Sequence, residues 1–128
     1  MKIYVAGPLG PKGLRVAGVG VASLAIEYLL NARDLIRTAA ELVMRGHYPF
    51  CPALDMLYFL VLKPGEEISE TTIKENSLIW LEDCDAILMT GRWEDSLGCQ
   101  AELQRAIELG MPIFYGIEEI PREGYNER

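Results

Sequence analysis

Histidine occurs once in this sequence, at position 47, so no pair of imidazoles is available to hold a catalytic metal, and none is expected. Cysteine occurs three times, at Cys51, Cys84 and Cys99, an odd number at spacings that fit no zinc pattern, and each lies in or beside an apolar run. That usage predicts reduced, mostly buried thiols. Basic residues are outnumbered, 12 Lys and Arg against 19 Asp and Glu, for a formal net charge of -7. A nonspecific grip on a nucleic acid polymer needs a basic face and is therefore not expected. No apolar run approaches the roughly 20 residues that cross a bilayer. The opening "MKIYVAGPLG" goes directly into a strand pattern, and a cytoplasmic protein without membrane contact is the expectation. There is no internal repeat and no low-complexity segment.

Half of the 128 residues are hydrophobic, enough for the core of one domain, expected over residues 1–121 with a polar, fraying tail at 122–128. "IYVAG" (Ile3 to Gly7) is a short apolar run closed by Gly-Pro and reads as a buried, central strand. From Ser23 to Arg45, Leu24, Leu29, Leu35, Ile36, Leu42 and Val43 recur at helical spacing up to the stop at Gly46, with Asn31 as a candidate break. "YPFCP" (Tyr48 to Pro52) reads as a strand whose prolines place it near a sheet edge. Asp55 to Leu62 reads as a short helix or lid, and "KPGEE" (Lys63 to Glu67) as a break. A second helix is expected over Ser69 to Cys84, capped by Ser69, with Ile73, Ser77, Trp80, Leu81 and Cys84 on one side. "AILMT" (Ala86 to Thr90), a helix from about Ser96 to Gly110, and "PIFYG" (Pro112 to Gly116) complete an alternation of strand and helix. Such alternation with continuous apolar strands implies an α/β fold: a Rossmann-like, three-layer sandwich around a parallel sheet of four or five strands.

In open parallel sheets ligands bind beyond the carboxyl ends of the strands. Residues expected there are Gly7, Pro8 and Leu9 after the first strand, Asp55 after the second, and Gly91 to Gly98 after the third. Glu102 stands one turn beyond Gly98, and a helical side chain leans toward its own N-terminus, so the carboxylate is expected over Gly98. Glycine in a helix costs about 0.5 to 1 kcal/mol relative to alanine, so its use there suggests close approach by something else. Simpler readings stand beside these: Ser96 as an N-cap, Gly98 as a packing position, Glu102 as a solvated acid.

"SLGCQAE" taken together with "IYVAGPLG" resembles the nucleoside 2-deoxyribosyltransferase family, and within it the branch of deoxynucleoside 5'-monophosphate N-glycosidases and their small phage and bacterial relatives. The likeness extends to "RGHYPFCP", "WLEDCDAILM" and "SLGCQAELQRAIELGMPIF", most of the chain. It implies a flavodoxin-like sandwich that acts on the bond between a base and deoxyribose, takes a small nucleoside or nucleotide, needs no cofactor, and assembles as a homodimer or larger homo-oligomer. It also implies roles for particular residues. Glu102 matches the nucleophile, Tyr4 a first-strand tyrosine that orients it, Gly7, Pro8 and Leu9 the loop that approaches the sugar, and Ser96 and Gly98 the part that holds a 5'-phosphate. Lys12 and Arg15 lie on that first loop and could pair with a phosphate.

One departure stands out. Where the family carries an aspartate that protonates the leaving base, this sequence has Ser77, and a serine hydroxyl is far too weak an acid to replace it directly. Asp55, Glu94 and Asp95 are acids expected at the correct edge of the sheet. Asp83 and Asp85 precede the third strand, and His47 the second, so they are expected at the opposite edge. Trp93 could stack on a base. Trp80 is expected in the core, and Tyr58 and Phe59 in the lid or an oligomer interface.

Overall fold

The computed structural model describes residues 1–9 and 21–123. Four strands, β1 (Lys2–Ala6), β2 (Tyr48–Phe50), β3 (Ala86–Met89) and β4 (Ile113–Phe114), form one parallel sheet in the order β2-β1-β3-β4. The helices are α1 (Val21–Met44), α2 (Glu70–Glu82) and α3 (Leu97–Glu108), and a 3-10 helix covers Pro52–Leu60. The expected central position of β1 and edge position of β2 are both observed: β1 pairs with β2 on one side and with β3 on the other.

Alternation along the two inner strands splits the core into two layers. Ile3, Val5, Ala86 and Leu88 face α1, meeting Ala32, Leu35, Ala39 and Leu42. Tyr4, Ala6, Ile87 and Met89 face the other way, toward Leu81 of α2 and Cys99 and Ala106 of α3. Both faces of β1 and β3 are therefore buried, which is why these strands read as unbroken apolar runs.

α1 runs without a break through Asn31, whose side-chain amide donates to the Leu9 carbonyl at 3.1 Å. Only part of its expected apolar face is inward. Leu35 and Leu42 are buried, whereas Leu29, Ile36 and Val43 are exposed, because the small residues Ala32 and Ala39 fill the seam against the sheet. Gly46 and Gly110 follow α1 and α3 at φ 89° and 69°, the left-handed conformation that ends a helix. Trp80 is a correction: it is 49% exposed, with its ring lying on Phe50 at 5.5 Å, because β2 is an edge strand that leaves the outer ring face open. The Glu123 amide donates to the Arg45 carbonyl at 2.9 Å. No helix among the described residues is long and apolar enough to cross a membrane.

Candidate active site

In a sheet of this order the chain leaves β1 on one side and β3 on the other, and a crevice opens between their carboxyl ends. β1 ends at Ala6 and β3 at Met89, neighbours in register. Thr90 ties the two ends together, its amide at 2.8 Å and its hydroxyl at 3.1 Å both donating to the Ala6 carbonyl. Gly7 is held against this tie, and a Cβ there would stand 2.4 Å from both Leu35 and Thr90. Gly91, at φ 59°, turns the chain away beside Pro8.

α3 then begins over the crevice. The Ser96 hydroxyl accepts from the Cys99 amide at 3.2 Å, so Ser96 is the N-cap. Gly98 is not a packing glycine: a Cβ there would meet only the Ser96 hydroxyl, at 3.8 Å. The space beside it is a cavity of about 420 Å³, walled by Gly7 and Leu9 from the β1 end, Ser96, Gly98 and Glu102 from α3, and Ser77 from α2. That volume lies in the range of small-molecule sites.

Glu102 is half-buried on this wall, and burial pushes its carboxyl up to about 7, with the nearby Tyr4 hydroxyl pulling in the opposite direction. Tyr4 lies behind the wall, its ring stacked on Phe50 at 5.6 Å, and its hydroxyl is fully buried without a hydrogen-bond partner. Burial and the Glu102 carboxylate raise the phenol well above its ordinary range, so it stays protonated as a donor, with Glu102 and Ser77 as its polar neighbours. An orphaned buried donor beside a perturbed carboxylate at the lip of a cavity is a common signature of a functional site.

Asp55 is also behind the wall, buried in the 3-10 helix that follows β2, with Oδ2 3.4 Å from the Ser77 hydroxyl. Burial raises its carboxyl, while Ser77 and Asn76 act against that. The remaining sequence candidates lie elsewhere. Pro8 sits beside Gly91 off the cavity wall, and the Trp93 ring faces Tyr115 at 5.8 Å. Asp95 and Glu94 are exposed on the turn before α3. Lys12 and Arg15 lie outside the described residues. His47 and Asp85 occupy the opposite edge: His47 Nε2 contacts the Pro121 carbonyl at 2.6 Å, and Asp85 accepts from the Lys2 amide at 2.8 Å.

The far wall was not anticipated. Tyr28 of α1 and Glu70, Ile73 and Lys74 of α2 complete the cavity, with Lys74 paired to Glu70 at 3.2 Å. A signal existed, since positions 70, 73, 74 and 77 share one face of a helix.

Comparison with solved structures finds a 2-desoxiribosyltransferase from Leishmania mexicana, at a TM-score of 0.50 and 18% identity, covering 88% of this chain and 61% of that one. The likeness concerns the fold, and the chain spans about three fifths of the length of that protein. No curated protein sequence matches significantly. A family profile covers residues 20–115, from the approach to α1 through β4, and on that match the chain belongs to the family described as Domain of unknown function (DUF4406).

Proposed function

We propose that this protein cleaves or exchanges the N-glycosidic bond of a deoxynucleoside or deoxynucleoside 5'-monophosphate, with Glu102 as nucleophile. The observation that carries the reading is the Glu102 carboxyl itself: half-buried, titrating near 7, and facing a cavity that Gly98 keeps open. Glycosidic bonds break through a transition state resembling an oxocarbenium ion, which a close carboxylate stabilises before it bonds to the anomeric carbon. Partial burial sharpens that interaction by lowering the local dielectric. The protonated Tyr4 hydroxyl, unpartnered beside it, is the donor available to orient that carboxylate. Water then releases the sugar, or a second base accepts it. The likeness of fold to a 2-desoxiribosyltransferase supports the same reading. Residues 1–121 are proposed as one catalytic domain acting in the cytoplasm. Self-association is proposed through the exposed apolar run Leu57, Tyr58, Phe59, Leu60 and Val61.

The test is chromatographic detection of free base after incubating the protein with each common deoxynucleoside and its monophosphate. Base is expected from the native protein, and Glu102→Ala is expected to lower its rate by about 10⁴-fold or more, as loss of a nucleophile does. A second reading is favoured by Ser77, which stands where the resemblance expects an acid: a nucleotide-binding module without turnover. That protein would release no base and would hold unmodified nucleotide with similar affinity before and after Glu102→Ala.

A further inference from the structure

A good nucleophile does not by itself break a bond to a poor leaving group. The base departs with the bonding electron pair and must gain a proton on a ring nitrogen, which general acids typically assist by about 10²- to 10⁴-fold. Among the described residues, the cavity wall holds two carboxyls, Glu102 and Glu70, and Glu70 is exposed and paired with Lys74. The third acid near the cavity is Asp55, which is 7% exposed and hydrogen-bonded to Ser77, a residue of the wall. Ser77 lines the cavity, and its hydroxyl lies 3.4 Å from Asp55 Oδ2 and 3.1 Å from the Ile73 carbonyl.

The groups facing Asp55 are Asn76 and Ser77 from α2, Tyr4 from β1, and Cys51 at the end of β2. None of these is a cation. A carboxyl buried with no compensating charge keeps its proton to higher pH, and its hydrogen-bonded link to the cavity wall is a hydroxyl that both accepts and donates.

We propose that Asp55 and Ser77 form a proton relay to the leaving base, with Ser77 touching the substrate and Asp55 acting through it. The inference rests on the glycosidic reading. Protonated Asp55 passes its proton to Ser77 Oγ as Ser77 passes its own proton to the base nitrogen. The carbon–nitrogen bond breaks with its electron pair moving into the base, and Glu102 bonds to the anomeric carbon. When water later attacks that carbon, the ester oxygen leaves as the Glu102 carboxylate, and the proton from water returns through Ser77 to Asp55. The cycle is balanced and needs no further reactant.

The experiment compares base release from a purine deoxynucleoside with release from its 7-methylated analogue, whose base already carries the charge that protonation would supply. Asp55→Asn and Ser77→Ala are each expected to slow the unmodified substrate by about 10²- to 10⁴-fold and the methylated one by less than about 3-fold. Ser77→Asp placed in the Asp55→Asn protein is expected to restore at least about a tenth of the lost rate on the unmodified substrate, by supplying the acid directly. With the native protein, the rate on the unmodified substrate is expected to fall as Asp55 loses its proton at rising pH, and the methylated substrate is expected to lack that fall. Equal losses on both substrates, or loss on neither, would overturn the relay while leaving the glycosidic chemistry standing. Release from the methylated substrate alone by the native protein would do the same. No release from either would overturn the glycosidic reading and the relay with it. Ser77→Ala keeps the test decisive should Asp55→Asn fail to fold.

Discussion

Gly98 separates stability from function more cleanly than any other position. Because a methyl group there meets nothing beyond its own helix backbone closer than the Ser96 hydroxyl at 3.8 Å, Gly98→Ala should stabilise α3 by about 0.5 to 1 kcal/mol, seen as a higher melting temperature. The same methyl enters the cavity, so kcat/KM for base release should fall by about 10- to 100-fold through displacement of the sugar. Higher stability with unchanged activity would mean that the substrate does not approach this wall. Glu102 makes the opposite trade. Its folded carboxyl titrates near 7, above the ordinary value of 4.5, so between those values the folded state holds more proton than the unfolded one. Its contribution to stability therefore falls as pH rises through that window. Glu102→Gln should raise the melting temperature at pH 8 and change it little at pH 4, while base release by the native protein from the 7-methylated substrate, which needs no acid, should climb through pH 7 as the nucleophile ionises. Thermal melts across pH and a pH–rate profile measure the two effects.

At the scale of the element, α2 and α3 begin in the same way. Ser69 accepts from the Thr72 amide at 3.1 Å, and Ser96 from the Cys99 amide at 3.2 Å. Either serine replaced by alanine should cost about 1 kcal/mol, measured by urea unfolding. Only Ser96→Ala should also weaken base release, since only Ser96 lines the cavity. Tyr4, Phe50 and Trp80 form a ladder of rings that runs from the inner strand to the edge strand to α2, with successive centroids 5.6 and 5.5 Å apart. This ladder holds the Tyr4 ring beside Glu102, which explains why Trp80 belongs to the site's support although it is half exposed. Nothing in the local spacing of α2 distinguishes that arrangement from an ordinary core tryptophan, because the partner ring comes from a strand about thirty positions away.

The whole molecule is two half-cores on either side of one sheet. Leu42 and Leu81 are fully buried on opposite faces and share no cluster. Each replaced by alanine should cost about 2 to 5 kcal/mol, and the two losses should add to within about 0.5 kcal/mol. Strong non-additivity in chemical unfolding would show that the sheet transmits strain from one layer to the other. The crevice lies where these layers part, so its walls come from α1, α2, α3 and the end of β1 at once.

Much of this was legible in the chain itself. Unbroken apolar strands between amphipathic helices imply a parallel sheet covered on both faces, and Gly-Pro, Ser69, Ser96, Gly46 and Gly110 mark the ends of elements through purely local backbone chemistry. The placement of Glu102 one turn beyond an unpacked glycine was likewise readable, because helical geometry alone carries the side chain back over Gly98. Tertiary structure decided the rest. It placed the Trp93 ring against Tyr115, left Leu29, Ile36 and Val43 of α1 outside, and brought Asp55 against Ser77 across twenty-two positions of chain. Spacing determines which residues share one face of one element. Which faces of different elements meet depends on strand order and packing, and a local pattern carries no record of those.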